Sequence, residues 1–341
     1  MTAGLRPLPA VLALLLALAI GPSAPLAQSG AVAPLRVTVN ATPIVAFSRS
    51  EPERRRFGQL EFRGGLALTA NSDRFGGISG IRLEADGRNF LALTDRAYWL
   101  RGRILAEGDR PTGIADTEIA PMLGANGRPL IETKGYDTES LARADGMLFV
   151  SIERVQRLVR FDYAKDGFAA RAQPVTSPPG LRDLPSNQGI EALVFVPKSL
   201  PLGGTLIAIS ERGLDGGGNI RGFLVGGPSP GAFSVRRSND FDVTDAALTP
   251  SGDLFILERH FSFTRGGGMR IRRVPLTDIK PGALIGGTVL IEADNANQID
   301  NMEALDVHRN AAGETILTVM SDDNFSPLQR TLLLRFALIE D

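Results

Sequence analysis

The chain has 341 residues, with 37 lysines and arginines against 38 aspartates and glutamates, 38 glycines, 22 prolines, two histidines and no cysteine. The lack of cysteine excludes disulfides, thiolate zinc sites and cysteine nucleophiles, and a formal net charge of -1 argues against a non-specific nucleic-acid binder. An apolar fraction of 43% is enough for a core, and the many glycines and prolines favour a turn-rich, all-β chain.

The first predicted element is an export signal at residues 1–27. Arg6 precedes an apolar run at residues 11–20, which ends at Gly21, Pro22 and Ser23 and is followed by small residues. This order is typical of a secretory signal peptide, and the apolar run is too short to span a bilayer. We expect cleavage near Ala24 or Ala27, no stable membrane anchor afterwards, and a periplasmic or secreted protein made of residues 28–341.

Five segments of the remaining chain share one pattern: two apolar strands joined by a turn, with an acid at the end of the second strand. They lie at residues 77–96, 136–154, 187–212, 242–260 and 300–323. The strand-ending acids are Asp95, Glu153, Glu211, Glu258 and Asp322, separated by 58, 58, 47 and 64 residues. A period in this range fits a four-stranded propeller blade, and apolar segments after the hairpins supply third strands.

These repeats predict an all-β fold, a β-propeller, in a single domain over residues 28–341. The apolar strands suit burial on both faces, which radial stacking of blades provides. Strands at residues 35–41 and 60–70, before the first repeat, and at 330–338, after the last, can form one mixed blade that closes the ring. Five repeats plus this blade predict six four-stranded blades, and an N-terminal region with more strands would make seven.

Several separated strings resemble the phytase-like family, often described by the esterase-like activity of phytase. They lie in order at residues 139–141, 187–193, 210–212, 240–259 and 300–325. The resemblance covers roughly residues 60–340 and implies a β-propeller, export and a hydrolase activity. The better-understood propeller phytases bind several calcium ions and cleave phosphate monoesters.

The start of each innermost strand of a propeller lies at one mouth of the central channel, where side chains from all blades converge. The residues at this place are Ser79, Glu139, Glu191, Asp245 and Glu303. Crowded carboxylates repel each other, and a bound cation relieves the repulsion. Oxygen ligands without cysteine suit Ca²⁺ first and Mg²⁺ second. The predicted metal ligands are Glu139, Glu191, Asp245, Glu303 and Asp300.

A different interpretation pairs the repeated acids with arginines that follow them. Arg96, Arg154, Arg212 and Arg259 come directly after four of the strand-ending acids. Such ion pairs would hold each blade to its neighbour. This interpretation applies most to Glu153, Glu211 and Glu258, whereas lining of the channel is favoured for Glu139, Glu191 and Glu303.

The resulting functional hypothesis is metal-assisted hydrolysis of a phosphate ester without a covalent intermediate. Glu139, Glu191 and Glu303 are the predicted catalytic acids, and Arg212 is the predicted cation for the phosphate oxygens. The alternatives are a non-catalytic propeller that binds a ligand or an envelope component, and a calcium-dependent hydrolase of the lactonase type. We expect a monomer with a small phosphate or other ester as its partner.

A serine hydrolase is disfavoured. Residues 77–81 miss the G-x-S-x-G pattern by one position, so Ser79 does not lie in a nucleophile elbow. His260 and His308 are the only histidines available as bases.

Overall fold

The protein is described here by a computed structural model that covers residues 1, 2, 4 and 33–340. It divides into the units Met1–Gly30 and Ala31–Asp341. The predicted signal peptide lies almost entirely outside the described residues and stays a prediction. In the described part of the chain, none of the helices has the length and apolar character needed to cross a membrane.

The described part of the second unit, residues 33–340, contains 24 strands, one four-residue helix and three 3₁₀ turns. The first twelve strands are β1 (Leu35–Arg36), β2 (Val39–Ile44), β3 (Arg56–Phe57), β4 (Leu60–Ala70), β5 (Ile78–Leu83), β6 (Asn89–Thr94), β7 (Tyr98–Glu107), β8 (Arg110–Pro121), β9 (Thr138–Ala144), β10 (Met147–Ile152), β11 (Arg157–Asp162) and β12 (Gln173–Pro174). The remaining strands are β13 (Ile190–Phe195), β14 (Thr205–Leu214), β15 (Ile220–Gly226), β16 (Gly231–Val235), β17 (Asp242–Leu248), β18 (Asp253–Ser262), β19 (Gly266–Pro275), β20 (Leu284–Ile285), β21 (Thr288–Asp294), β22 (Asn301–Arg309), β23 (Thr315–Asp322) and β24 (Thr331–Leu338). Helix α1 spans Tyr163–Asp166, and the 3₁₀ turns span Leu130–Glu132, Gly167–Ala169 and Leu276–Asp278.

These strands form the five sheets of a β-propeller, each made mainly of antiparallel neighbours. Blade 1 contains β5 to β8 with β1 at its edge, and blade 2 contains β9 to β12. Blade 3 contains β13 to β16 with the short parallel β20, and blade 4 contains β17, β18, β19 and β21. The inner strands β5, β9, β13, β17 and β22 contact one another in a closed ring.

The prediction of six blades is wrong, because the fifth repeat and the closing blade are the same sheet. In blade 5, β22, β23 and β24 come from the end of the chain and β4 and β2 from its beginning. The closure is the antiparallel pair of β24 with β4, in which Thr331 lies opposite Leu68 and Leu338 opposite Leu60. The terminal strands therefore complete the fifth repeat and add no sixth sheet.

The core lies between neighbouring blades, as the two-sided apolar strands predict. Every residue of β23 and β24 is buried. Blade 5 carries an aromatic group in which the ring of Phe47 lies 4.9 Å from Phe57, 5.5 Å from Phe62 and 5.1 Å from Phe336. Burial of apolar surface on both faces of each sheet gives the ring its stability, since the hydrophobic effect scales with the area removed from water.

Candidate functional site

The inner strand of each blade begins with the same irregularity, a β-bulge. In four inner strands one residue has no partner on the neighbouring strand: Ser79 in β5, Glu191 in β13, Thr244 in β17 and Glu303 in β22. In β9 the register shifts at two residues, Glu139 and Ser140. A bulge re-aims a side chain and is common beside functional sites. It therefore turns three glutamates toward the mouth, on blades 2, 3 and 5.

A second ring of residues lies at the end of the next strand in each blade. The amides of Asp95, Glu153 and Glu211 donate to the carbonyls of Gly77, Asp137 and Gly189, just before the inner strands. In blades 4 and 5 the same register places Arg259 opposite Asp242 and Asp322 opposite Asn301. The second ring is thus Asp95, Glu153, Glu211, Arg259 and Asp322.

We name the carboxylates of both rings, with Asp137, the acidic mouth; its members are Asp95, Asp137, Glu139, Glu153, Glu191, Glu211, Glu303 and Asp322. Two triplets within it can each bring one carboxylate oxygen per residue to within 4.8 Å of the others. They are Asp137, Glu139 and Glu153, and Glu153, Glu191 and Glu211. Glu153 belongs to both and accepts a hydrogen bond of 2.9 Å from the amide of Gly189, which fixes its position.

Burial and mutual repulsion raise the pKa of Glu139 and Glu191, two of the glutamates in the β-bulges. Burial raises the pKa of Glu139 well above its ordinary value, and Glu303 and Asp137 raise it further. Burial acts likewise on the pKa of Glu191, with Glu139 and Glu211 as the nearest repelling charges. Ionisation of Glu139 and Glu191 is therefore disfavoured unless a cation lies beside them.

Burial, more than any neighbour, also raises the pKa of three acids of the second ring. The pKa reaches about 7 for Asp95, about 7 for Glu153 and about 9 for Asp322. One carboxylate oxygen of Asp95, Oδ1, is buried without a hydrogen-bond partner among the described residues. A buried oxygen of this kind is an available ligand atom.

Arg259 is the cation that the fold itself places in the second ring. Its Nη2 lies 3.3 Å from Glu211 and its Nε lies 3.3 Å from Glu303. Asn301 also donates a hydrogen bond of 2.7 Å to Glu303. Blade 4 therefore differs from the other blades, because it contributes Thr244 and Arg259 where most others contribute acids.

The structure does not place Asp245 with the acidic mouth. The extra residue of the β17 bulge is Thr244, so Asp245 lies one position further along the strand than the glutamates of the other blades. Its carboxylate is fully buried and bound by Arg82, at 3.2 and 3.3 Å. It belongs to neither of the two triplets and is paired with Arg82 instead.

Arg82 closes the channel below the acidic mouth. Its guanidinium donates to carbonyl oxygens on four of the five inner strands, those of Ile81 at 2.5 Å, Leu193 at 3.0 Å, Ala246 at 3.1 Å and Leu305 at 2.9 Å. The mouth is consequently a pocket that is open at one end and has the guanidinium of Arg82 as its floor.

Of the other predicted residues, Asp300 and Arg212 lie at the rim. Asp300 is paired with Arg330 at 3.3 Å, and Arg212 with Asp242 at 3.5 Å. The side chain of Arg212 is partly exposed at the rim of the mouth, where it is accessible to a ligand. Metal binding by Glu139, Glu191 and Glu303 stays a prediction.

The pairing of repeated acids with arginines holds for Glu258 but with different partners. Glu258 is fully buried and binds Arg270 at 2.7 Å and also Arg272, both from the adjacent strand β19. It lies one position before the second ring, which explains why it is a structural residue. Glu211 belongs to the acidic mouth and is also paired with Arg259 of the neighbouring blade at 3.3 Å, as this interpretation predicts. Glu153 belongs to the acidic mouth and accepts a hydrogen bond from the amide of Gly189.

Sequence reasoning did not assign Asp95, Asp322, Glu153, Glu211 or Arg259 to the site. The signal for the four acids was already present, because each ends the second strand of its repeat. The missing information was the register between the two strands, which brings their ends to the same mouth as the bulged residues.

Among the residues that the structure describes, Ser79 and the two histidines do not form a catalytic triad. The hydroxyl of Ser79 donates to the carbonyl of Gly77 at 3.3 Å. His308 lies near the far end of β22, at the opposite end of the channel. His260 packs edge-on against Phe241, with ring centroids 4.6 Å apart.

Several solved structures resemble this chain at low identity. They include the glutaminyl cyclase of Myxococcus xanthus (12% identity, 82% of this chain and 97% of that chain, TM-score 0.42) and the PQQ-bound aldose sugar dehydrogenase of Streptomyces coelicolor (14%, 89% and 99%, TM-score 0.40). The Pan2 WD40 domain of Neurospora crassa matches at 10% identity over 85% of this chain and 98% of that chain, with a TM-score of 0.40. At this level they say nothing about activity.

No curated protein sequence matches the chain. The profile of one family does match, over residues 73–325, and that family is described as phytase-like, with the esterase-like activity of phytase. The match includes all five inner strands and both rings of the mouth. The chain therefore belongs to the phytase-like, esterase-like family of β-propellers.

Proposed function

We propose that the protein is an exported hydrolase that cleaves phosphate esters over the acidic mouth, with a divalent cation held by its carboxylates. The observation that carries this proposal is the crowding of buried carboxylates around Glu153, with two triplets whose oxygens lie within 4.8 Å. Such crowding is costly unless a cation offsets it. Membership of a family with esterase-like activity supports a hydrolase.

The donor set fits Ca²⁺. Every candidate ligand is an oxygen, and Ca²⁺ accepts six to eight oxygens in variable geometry, whereas Mg²⁺ requires a stricter octahedron and retains water. The residues that would hold the ion are Asp137, Glu139, Glu153, Glu191 and Glu211. A bound divalent ion polarises a phosphoryl oxygen and lowers the pKa of a bound water.

The chain's own residues supply the remaining requirements. Phosphate oxygens need cationic N–H donors, and Arg212 at the rim and Arg259 in the second ring provide them. Glu303 is held by Arg259 and Asn301, so its carboxylate is oriented to accept a proton from water. The floor made by Arg82 keeps substrate in the upper part of the channel.

The test is hydrolysis of a panel of phosphate monoesters, diesters and lactones in the presence of EDTA, Ca²⁺ or Mg²⁺. We expect phosphate release that EDTA abolishes and Ca²⁺ restores. Glu153→Gln should lose most of the activity, while Glu53→Gln, on an exposed loop, should retain it.

Other outcomes would replace the proposal. Full activity in EDTA removes the role of the metal. Cleavage of lactones alone indicates a lactonase-type enzyme. A rise of melting temperature with Ca²⁺ but no product from any ester indicates a binding propeller. Export is tested separately, by the N-terminal sequence of the protein recovered from the periplasm or medium.

A further inference from the structure

A cavity of about 630 Å³ lies beside the acidic mouth, between blades 4 and 5. It shares Arg259 and Asn301 with the mouth, and both side chains contact Glu303. We call it the side cavity; its other wall residues include His260, Phe261, Asn295 and Leu328. Its volume is in the range of small-molecule sites. One part of a bound substrate could therefore lie in this cavity while its reacting phosphate lies over the carboxylates of the mouth.

The side cavity has free neutral hydrogen-bonding groups. The side-chain amides of Asn295, Asn324 and Gln329 line it and make no hydrogen bond to another described residue. An amide offers both a donor and an acceptor, which matches a hydroxyl group, itself a donor and an acceptor. The ionised wall residues are Asp300, which is paired with Arg330, and Arg259, which lies at the boundary with the acidic mouth and pairs there with Glu211 and Glu303. The cavity is consequently suited to an uncharged, hydroxylated ligand.

The rim of the side cavity is apolar and exposed. The relative exposure is 68% for Phe261, 99% for Phe263 and 91% for Leu328. Phe261 and Leu328 line the cavity, and the rings of Phe261 and Phe263 lie 5.7 Å apart. An exposed aromatic face beside free amides presents an apolar platform next to hydrogen-bonding groups.

The glycines at the start of β19 leave room for this arrangement. A Cβ on Gly266 would lie 2.0 Å from the amide nitrogen of Asn295, and one on Gly268 would lie 2.2 Å from Nε2 of His260. Both glycines are thus required for the wall side chains to occupy their positions. The run of three glycines at residues 266–268 therefore shapes this wall of the cavity.

We infer that the side cavity binds a sugar ring as the organic part of the ester, with one face on Phe261 and its hydroxyls on Asn295, Asn324 and Gln329. A sugar ring combines an apolar C–H face with hydroxyls, the two features that the cavity presents. The inference rests on the proposed function, since it assigns the leaving group of the same reaction. The corresponding substrate class is a hexose phosphate.

The experiment compares kcat/KM for a hexose phosphate, glycerol phosphate and phenyl phosphate in the wild type and in variants. Phe261→Ala and Asn295→Ala should each lower kcat/KM for the hexose phosphate about tenfold, the change expected when one side-chain contact is lost. The loss for glycerol phosphate, which carries hydroxyls but no ring, should be smaller in both. Leu284→Ala, an exposed apolar residue of blade 3, serves as the control. Preference for phenyl phosphate, or equal losses on all three esters, would overturn the sugar assignment.

A second measurement separates this inference from the proposed function. Saturation-transfer NMR with the free hexose reports binding without hydrolysis. Binding that Phe261→Ala weakens, in a protein that cleaves none of the esters, supports the cavity and refutes the phosphatase. Ester hydrolysis without any hexose binding refutes the cavity and leaves the phosphatase in place.

Discussion

Replacing Arg82 by methionine tests how the floor of the channel contributes to stability. Methionine fills a similar volume but donates no hydrogen bond. Four carbonyls, on four different inner strands, would lose their donor. The buried carboxylate of Asp245 would also lose its countercharge.

The expected cost is that of breaking a buried ion pair, about 3–5 kcal/mol. At roughly 2 °C per kcal/mol for a chain of this size, the melting temperature should fall by about 6–10 °C. The cost should depend on pH. Burial raises the pKa of Asp245 to about 6 while Arg82 acts in the opposite direction. Without Arg82 the folded protein would hold this proton to higher pH than the wild type does, so the penalty grows as pH rises above about 6, where the wild-type Asp245 ionises.

The assay is urea-induced unfolding at pH 5 and pH 8 for the wild type, Arg82→Met, Asp245→Asn and the double variant. We expect a larger loss at pH 8 for Arg82→Met. The double variant should recover part of the loss, because asparagine is neutral and can still accept the amide hydrogen of Leu305. A loss below about 1 kcal/mol, or one equal at both pH values, would refute the reasoning.

Three further changes test other parts of the fold. In EDTA the melting temperature should fall as the pH rises from 5 to 8. The pKa of Glu153 and that of Asp322 are raised in the folded state, so the folded protein keeps protons that the unfolded chain has released. A melting temperature that is independent of pH would contradict this. Glu258→Gln should lower the free energy of unfolding by about 3–5 kcal/mol, because two buried arginines lose their countercharge, whereas the exposed Glu53→Gln should have no effect in the same urea titration. A chain that ends at residue 329 lacks β24 and cannot close blade 5, so its circular dichroism should show no cooperative melting, and an unchanged melt would refute the role of closure.

The propeller was predictable because the same hairpin recurs at a nearly constant period. The number of blades was not, since repeat counting cannot tell whether the terminal strands form a new sheet or complete the last one. The pairing of Leu338 with Leu60 decides this, and it joins residues that are far apart in the sequence. Long-range pairing of this kind leaves no local pattern.

The sequence was enough to predict a group of acidic side chains at one mouth of the channel, but not which residue of each strand faces that mouth. Glu139, Glu191 and Glu303 converge with the other acids, as their equivalent places in the repeats indicate. In blade 4 the two positions that face the mouth are occupied by Thr244 and Arg259. The acids Asp245 and Glu258 each lie one residue away from these positions. A shift of one residue turns a side chain to the other face of a strand, and acids in neighbouring positions look alike in a sequence.

The exceptional residues of blade 4 also determine the symmetry of the mouth. Five identical blades would present a ligand with five equivalent orientations. With Thr244 and Arg259 on one side and carboxylates on blades 1, 2, 3 and 5, the mouth has an electrostatic polarity across its diameter. For the function we propose, an anionic substrate would therefore have one favoured direction of approach to the mouth.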